Sequence, residues 1–446
     1  MAGMVVKNNM SAINTLNTLN KNHGALSKSL QKVSSGMKIN SAADDASGYA
    51  ISERMRVQIR SLDQDNKNTQ NGSALMKVAE GAVQSTVDIL KTLKEKVINA
   101  ANDTNTDSDR AQIQKELDQS IDQINDNANV TYNGKYLVDG SHNSKGDATY
   151  THTTNQSLAK DTAGGTKFVD LQNRVGDSLN IQSTDYVTMS YVNEGKTYTT
   201  TFQVKDAETL QDAMDKLNTY VKGDGGKSSH KDLTIANANT STIGTDKYGK
   251  VVETADKSNA VTIRAGGTGV EDQIGGITIS ITDQNGNINK SANAALDAFD
   301  ESIRAENKSD DNSIVLQTGT KANQAIKIGL TDMRAQALGL KGKDGTSLNV
   351  GTQKNANAAI NVLDNAIQKA LNQQTTIGAI ESRLEYTSTN LTTASENVQA
   401  SESTIRDADM AKEMTEYTKN NVLLQAAQSM LAQANQNSSS VLSLLQ

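Results

Sequence analysis

Apolar residues recur with heptad spacing near both ends of this 446-residue chain. Near the start, a 4-3-4-3 spacing that is interrupted once by a histidine connects Ala12, Leu16, Leu19, His23, Leu26, Leu30, Val33 and Met37. Near the end, an unbroken row at every seventh residue comprises Ile377, Leu384, Leu391, Val398 and Ile405. Narrow rows of this kind are typical of coiled-coil seams. Both chain ends are therefore predicted to form long, seam-packed helices.

The chain closes with an uncharged tail. After Lys419 no Asp, Glu, Lys or Arg occurs through Gln446, yet Leu423, Ala427, Met430 and Ala434 repeat at heptad spacing. A helix with a long apolar row gains most of its stability by burying that row. The N-terminal row is therefore predicted to pack on the C-terminal region, and the tail to need neighbouring copies of the chain as well.

The predicted contact residues between copies come from these rows and from the last apolar residues of the tail. They are Leu16, Leu19, Leu26, Leu30, Val33, Leu384, Leu391, Val398, Ile405, Leu423, Ala427, Met430, Leu431, Ala434, Leu442 and Leu445. A second long helix, predicted from about Ala46 to Ala101, carries two apolar rows and so needs cover on more than one side. We expect this apolar surface, like that of the tail, to exceed what one chain can cover.

From about Val130 the apolar period changes to two, which is typical of strands. Hairpins are predicted at Asn133-Gly134, at Asn193-Glu194-Gly195 and at Asn285-Gly286. Helices are predicted from Ala207, over Ala292–Arg304, and from about Asn355 to the chain end.

The predicted fold class is α+β, with an elongated, discontinuous helical coiled-coil core formed by both termini and a β-rich inserted outer domain. Residues 1–45 and 402–446 are assigned to an inner coiled-coil domain. Residues 46–170 and 312–401 are assigned to a helical bundle with a β-hairpin. Residues 171–311 are assigned to a variable outer insertion.

Composition argues against several functional classes. The net charge of −7 comes from interspersed acidic and basic residues, whereas nucleic-acid binding needs clustered Lys and Arg. No stretch approaches the apolar length of a membrane span, and the start of the chain lacks the apolar region of an ordinary secretory signal. No histidine lies in an H-E-x-x-H motif, and there is no cysteine. We therefore expect no enzyme, no cofactor and no metal site.

The chain contains no proline, although average usage near 5% would give roughly 22 in a chain of this length. Proline breaks helix interiors, and isomerisation of the preceding peptide bond takes tens of seconds or more. A chain without it can form very long helices and can refold quickly from an extended state.

Two segments resemble a known family. Residues 33–48, Val-Ser-Ser-Gly-Met-Lys-Ile-Asn-Ser-Ala-Ala-Asp-Asp-Ala-Ser-Gly, resemble the N-terminal signature of bacterial flagellins. The C-terminal signature of that family is similar to residues 405–411, Ile-Arg-Asp-Ala-Asp-Met-Ala, followed by 431–435 and by the closing Val-Leu-Ser-Leu-Leu of residues 441–445. The resemblance covers roughly residues 1–140 and 312–446.

The resemblance implies a secreted subunit of the flagellar filament. A flagellin is expected to travel unfolded through the flagellar export apparatus and to polymerise with copies of itself at the distal tip. Its expected partners are the flagellar cap, the hook–filament junction proteins and an export chaperone that holds the C-terminal region.

The resemblance also implies a host partner, the Toll-like flagellin receptor of animals. Flagellins that this receptor detects usually present an Arg–Leu pair on the second N-terminal helix, where this chain has Thr92 and Lys96. Glu95 and Glu116 match the family pattern. Losing an arginine anchor from an interface can cost about 2 kcal/mol or more, so weak receptor activation is predicted.

Two alternatives stay open from the sequence. The β-rich middle could act as a surface-exposed adhesin, and a hook–filament junction protein has similar helical ends. The presence of both full terminal signatures favours a filament subunit.

Overall fold

A computed structural model describes residues 9–223, 232–236 and 241–444 of the chain. Within these residues the α-helices are α1 (Met10–Ser35), α2 (Ala46–Ala100), α3 (Asp107–Ala128), α4 (Leu210–Gly223), α5 (Lys290–Leu296), α6 (Gln353–Arg406) and α7 (Met410–Leu444). The long helices predicted near both ends are therefore confirmed, and α2 ends within one residue of its predicted boundary.

The strands lie between α3 and α6. They are β1 (Thr131–Tyr132), β2 (Lys135–Tyr136), β3 (Tyr150–Asn155), β4 (Tyr186–Asn193), β5 (Lys196–Gln203), β6 (Thr234–Ala236), β7 (Thr242–Thr245), β8 (Val251–Glu253), β9 (Val261–Thr268), β10 (Gly276–Thr282), β11 (Phe299–Ile303), β12 (Ile314–Gln317) and β13 (Ala325–Ile328). They form a three-stranded sheet in the order β10-β4-β5, a four-stranded sheet in the order β11-β3-β9-β6, and the pairs β1-β2, β7-β8 and β12-β13.

The described residues group into two compact units. The terminal unit comprises residues 9–69, 317–324 and 386–444, and the central unit comprises the described residues of 70–316 and 325–385. The division predicted from sequence separated β3 from β9 and β11 at residue 170. The structure instead pairs β3 with both of those strands in one sheet.

The central unit contains two hydrophobic clusters. The first is built by α2, α3, α6 and the segment between β13 and α6, and the second by the two larger sheets with α4 and α5. Both apolar rows of α2 are covered here, since Met76 and Val83 of one row and Ala79 and Leu93 of the other are buried within the single chain. The expectation that these rows exceed what one chain can cover is therefore wrong, although Ile98, which belongs to neither row, stays exposed.

Two of the three predicted hairpins are confirmed, β1-β2 and β4-β5. The third differs, because β10 pairs along its length with β4, and the chain after its turn meets it through an isolated bridge between Thr282 and Ile288 and through hydrogen bonds at Ile281, without forming a second strand. The helix predicted over Ala292–Arg304 is also wrong in its second half. Phe299 and Ile303 are buried in β11, which pairs with β3, so tertiary pairing overrides the helical pattern there.

Two glycines in turns of the central unit differ in what surrounds them. Gly195, between β4 and β5, has φ +78°, and an added Cβ would lie 2.6 Å from the carbonyl oxygen of Thr346. Gly286, after β10, has φ +82°, and an added Cβ would meet no atom within 4 Å. Either substitution to alanine carries the left-handed penalty of about 1–2 kcal/mol, but only Gly195→Ala adds a clash with backbone.

We expect Gly195→Ala to lower the thermal unfolding midpoint of the central unit clearly more than Gly286→Ala does. Calorimetry of the two variants beside the parent protein measures the difference. Equal midpoints for the two variants would contradict the close approach of Gly195 to Thr346.

Candidate assembly surface of the terminal helices

Helices α1 and α7 pack side by side in antiparallel order. Asparagine side chains tie them together at three levels: Asn9 donates to the carbonyl of Ala434 at 3.2 Å, Asn22 donates to that of Leu423 at 3.2 Å, and Asn420 donates to the hydroxyl of Ser29 at 3.0 Å. Lys32 and Glu413 form an ion pair at 3.4 Å near the other end of the contact. The partner of α1 is thus α7, including much of its uncharged tail.

The packing of these two helices leaves much of their apolar surface uncovered. Leu30 is 51% exposed on α1, and Met430 is 62% exposed on α7. Leu16 and Leu423 are also exposed, whereas Ala427 is buried. The half-buried members of the predicted contact set are Leu19, Leu26, Val33, Val398, Ile405, Leu431 and Ala434. The side chain of Leu442 and all of Leu445 lie outside the described residues.

Two predicted contact residues on α6 lie in the interior of the chain. Leu384 is fully buried in the first hydrophobic cluster of the central unit, and Leu391 is only 8% exposed. Neither side chain offers surface to a second copy. The heptad row of α6 therefore serves the intramolecular core at these two positions, because other parts of the same chain cover it.

Helix α7 also presents a shallow apolar groove. Met414, Val422 and Leu423 line it with the threonines of the same helix face, and Val422 is 59% exposed. Met414 and Val422 were missed by heptad counting because they lie beside the row and not on it. For Val422 the available signal was the absence of charge after Lys419, since this part of the helix has no charged face to orient it toward water, whereas Met414 lies before Lys419 among charged residues.

The segment after α1 is bonded to the segment before α7. The N–H of Lys38 donates to the carbonyl of Arg406 at 2.7 Å, and the N–H of Ala408 donates to that of Gly36 at 2.9 Å. Met37 and Asp407 form an isolated antiparallel bridge between them. This backbone bridge fixes where the helical pair begins.

The Arg406 side chain reinforces the bridge from inside. The side chain is only 8% exposed, and its guanidinium donates to Glu53 at 2.7 Å and to the sulfur of Met37 at 3.1 Å and lies 5.6 Å from the ring centre of Tyr49. The hydrogen bond from Arg406 is the main reason that the pKa of Glu53 falls below its usual range. Sequence reasoning placed Arg406 in a family motif without giving it a role. The available signal was that it is the only basic residue between Arg383 and Lys412.

The residues compared with receptor-binding flagellins lie on α2 and α3 of the central unit. Thr92 and Glu95 are exposed, and Thr92 donates to the carbonyl of Asp88 in its own helix. The ammonium of Lys96 lies 3.1 Å from the carboxylate of Glu116. The predicted set therefore includes an internal ion pair.

Across residues 9–223, 232–236 and 241–444, no group of three or more acidic, histidine or cysteine side chains is arranged to hold a metal ion. No helix in the same described residues combines the length and apolarity needed to cross a membrane.

Comparisons with known proteins match the chain at both ends and over its full length. Residues 6–143 match the bacterial flagellin N-terminal helical region, and residues 360–445 match the bacterial flagellin C-terminal helical region. A flagellin of Clostridium tyrobutyricum is 33% identical over 97% of this chain and 99% of its own length. A flagellin of Bacillus subtilis is 29% identical over 99% of this chain and 100% of its own length.

The role of Arg406 in holding the backbone bridge can be tested by comparison with an exposed arginine that binds the same carboxylate. Arg56 also donates to Glu53, at 3.0 Å, but its side chain is 48% exposed. We expect Arg406→Ala to speed amide exchange at Lys38 and Ala408 by about tenfold or more, the effect of losing a buried charged hydrogen bond.

Arg56→Ala should leave this exchange nearly unchanged, because exposed ion pairs contribute little. Hydrogen–deuterium exchange with mass spectrometry on the soluble subunit measures both variants. Comparable effects of the two substitutions on exchange would show that Arg406 does not stabilise the backbone bridge.

Proposed function

Because this chain belongs to the bacterial flagellin family, and is therefore a structural subunit of the flagellar filament, we propose that its copies contact one another through the exposed apolar residues of α1 and α7. The observation that carries the proposal is the surface of α7, where Val422, Leu423 and Met430 stay exposed although α1 already packs on the helix. Contiguous exposed apolar surface on a subunit is typical of an interaction site.

Assembly is driven by burying this surface. Transfer of apolar side chains out of water is favourable, and it needs no directional partner, so neighbouring copies can cover Leu30 and Met430 without specific polar contacts. The tail also lacks charge after Lys419, so many copies of it can approach one another without electrostatic repulsion. The set proposed for this role consists of the exposed and half-buried residues of α1 and α7.

Export and tip growth are the finer parts of the proposal. The subunit passes unfolded through the flagellar export apparatus and folds as it joins the distal end of the filament. The absence of proline and cysteine supports this order of events, since neither peptide-bond isomerisation at proline nor disulfide exchange delays refolding. The filament then meets the hook–filament junction proteins at one end and the flagellar cap at the other.

The exposed face of α7 is also the proposed binding site of the export chaperone. Before assembly, the apolar residues around Met414, Val422 and Leu423 have no second copy to cover them. A chaperone on this helix would shield the same surface that later joins copies, so chaperone binding and polymerisation exclude each other.

The assembly surface can be tested with one exposed residue on α7 and a matched exposed residue elsewhere. We expect Met430→Asp to abolish polymerisation, since a carboxylate cannot be buried unpaired between copies. Val175→Asp, at a side chain that is 87% exposed in the central unit, should polymerise normally. Deleting residues 420–446 should likewise leave a soluble monomer.

Sedimentation and electron microscopy under polymerising conditions measure the outcome, with circular dichroism to confirm that helix content is retained in the point variants. Normal filaments from the Met430→Asp protein, or from the truncated protein, would overturn the assigned role of α7.

Recognition by the host receptor is a separate part of the proposal. We expect weak activation, because Thr92 offers no guanidinium and Lys96 occupies the carboxylate of Glu116. The double variant Thr92→Arg with Lys96→Leu supplies the family's Arg–Leu pair and frees Glu116.

This variant should raise the potency in receptor reporter cells by about tenfold or more, as expected for a restored interface anchor. Lys94→Leu, an adjacent lysine on α2 that pairs with Asp364, is the control and should leave the potency low. A parent protein already as potent as a strongly stimulatory flagellin would contradict the prediction.

A further inference from the structure

The central unit contains a polar cavity of about 510 Å³ that the filament role does not use. Loop residues 139–143, 305–310 and 331–337 form its walls, and Lys369 of α6 contributes to its lining. The volume lies within the range of about 300–1,000 Å³ that is usual for small-molecule sites. None of these residues belongs to the proposed assembly surface.

Lys369 is a buried cation, with only 7% of its surface exposed. Its ammonium donates to the carbonyl of Ala337 at 2.7 Å. Burial lowers the pKa of this amine, because a charged group loses its hydration in the interior. An ammonium can donate three hydrogen bonds, so one carbonyl partner leaves donor capacity unused.

The neighbouring carboxylates are already committed to other cations. Glu301 accepts from Arg304 at 2.9 Å, Glu306 pairs with Lys247 at 2.9 Å, and Asp332 pairs with Arg334 at 2.6 Å. In the part of the chain that the structure describes, Lys369 has no carboxylate of its own in ion-pair contact. The fields of Glu301, Glu306 and Asp332 favour its charged form, but they leave its remaining hydrogen-bond donors for an anionic partner to fill.

The remaining acidic residues of the lining do not fill this role. Asp139 accepts from the N–H and the hydroxyl of Ser141, at 3.0 and 2.6 Å. Asp310 is exposed to solvent, as is Lys308 close to it in the chain. The feature that favours an acceptor is therefore the unused donor capacity of the buried Lys369, and not an excess of positive charge in the lining.

A buried acceptor in the cavity lining indicates a second chemical group that the ligand should carry. The side-chain oxygen of Asn143, which also lines the cavity, is buried and has no hydrogen-bond partner among the described residues. A buried acceptor without a donor costs about 1–3 kcal/mol, so a ligand that brings a hydroxyl group would be favoured here. The cavity thus offers a cation for an anion and an acceptor for a hydroxyl.

We propose that this cavity binds a small oxyanion that also carries a hydroxyl group, with hydrogen phosphate as the simplest member of the class. The anionic oxygens accept from the ammonium of Lys369, and the hydroxyl donates to the side-chain oxygen of Asn143. Sulfate has a similar size but carries no proton at neutral pH, so it can satisfy only the first of these contacts.

The test uses the full-length, monomeric protein and inorganic phosphate at constant ionic strength. Phosphorus NMR titration should show saturable binding of phosphate to the protein. Sulfate should compete with phosphate more weakly than an oxyanion that carries a hydroxyl group does. Lys369→Met should weaken phosphate binding by about tenfold or more, as expected for loss of a charge-assisted hydrogen bond. Lys308→Met, at the exposed lysine of the lining, should change it by no more than about threefold.

Hydrogen–deuterium exchange on the unmodified protein keeps the test independent of how the variants fold. Phosphate should slow exchange in residues 139–143 and 331–337, and sodium chloride at the same ionic strength should not. Non-saturable phosphate binding, unchanged exchange in these segments, or equal affinity of a folded Lys369→Met protein would each overturn the proposal.

Discussion

The packing of α1 against α7 governs how the rest of the terminal unit behaves. Two helices that meet along one seam can each bury only one face, so apolar residues on the other faces stay in water. Leu30 and Met430 show this directly, since both remain more than half exposed in the single chain. These exposed faces are the surface that the proposed assembly would bury.

In the central unit, by contrast, the apolar rows of the long helix are buried by other parts of the same chain. Its part of α2 carries two apolar rows, and α3, α6 and the segment after β13 cover both of them. Leu90 and Val97 consequently have no exposed surface. The two rows of α2 are therefore closed by the same chain, whereas Leu30 and Met430 of the terminal unit stay open. The proposed assembly would bury this open surface of the terminal unit.

Arg406 belongs to the C-terminal sequence motif and also makes several of the contacts that hold the terminal unit together. Its carbonyl accepts from Lys38, and its guanidinium binds Glu53 and lies against Tyr49, so one residue late in the chain holds the end of α1 and the start of α2. A buried arginine of this kind positions helices through several donors in fixed geometry. It sets the point at which α6 ends and the antiparallel pair of α1 and α7 begins.

Much of the fold was predictable because its signals are local. The heptad rows, the uncharged tail after Lys419 and the Asn-Gly turn after β1 each depend only on residues close in sequence. Predictions failed where distant strands decide the outcome. Phe299 and Ile303 fit a helical pattern, but pairing with β3 places them in a strand. Lys369 likewise has no sequence motif, since its cavity is lined by loops that only the fold brings together.

The sequence by itself determined that both ends are long amphipathic helices, that they pack with each other, and that the chain carries the terminal signatures of flagellins. Only the tertiary structure decided which apolar rows are free. Leu384 and Met430 look alike as members of heptad rows, yet the first is fully buried and the second is mostly exposed. Periodicity reports which side of a helix is apolar, whereas burial depends on whether another part of the chain reaches that side.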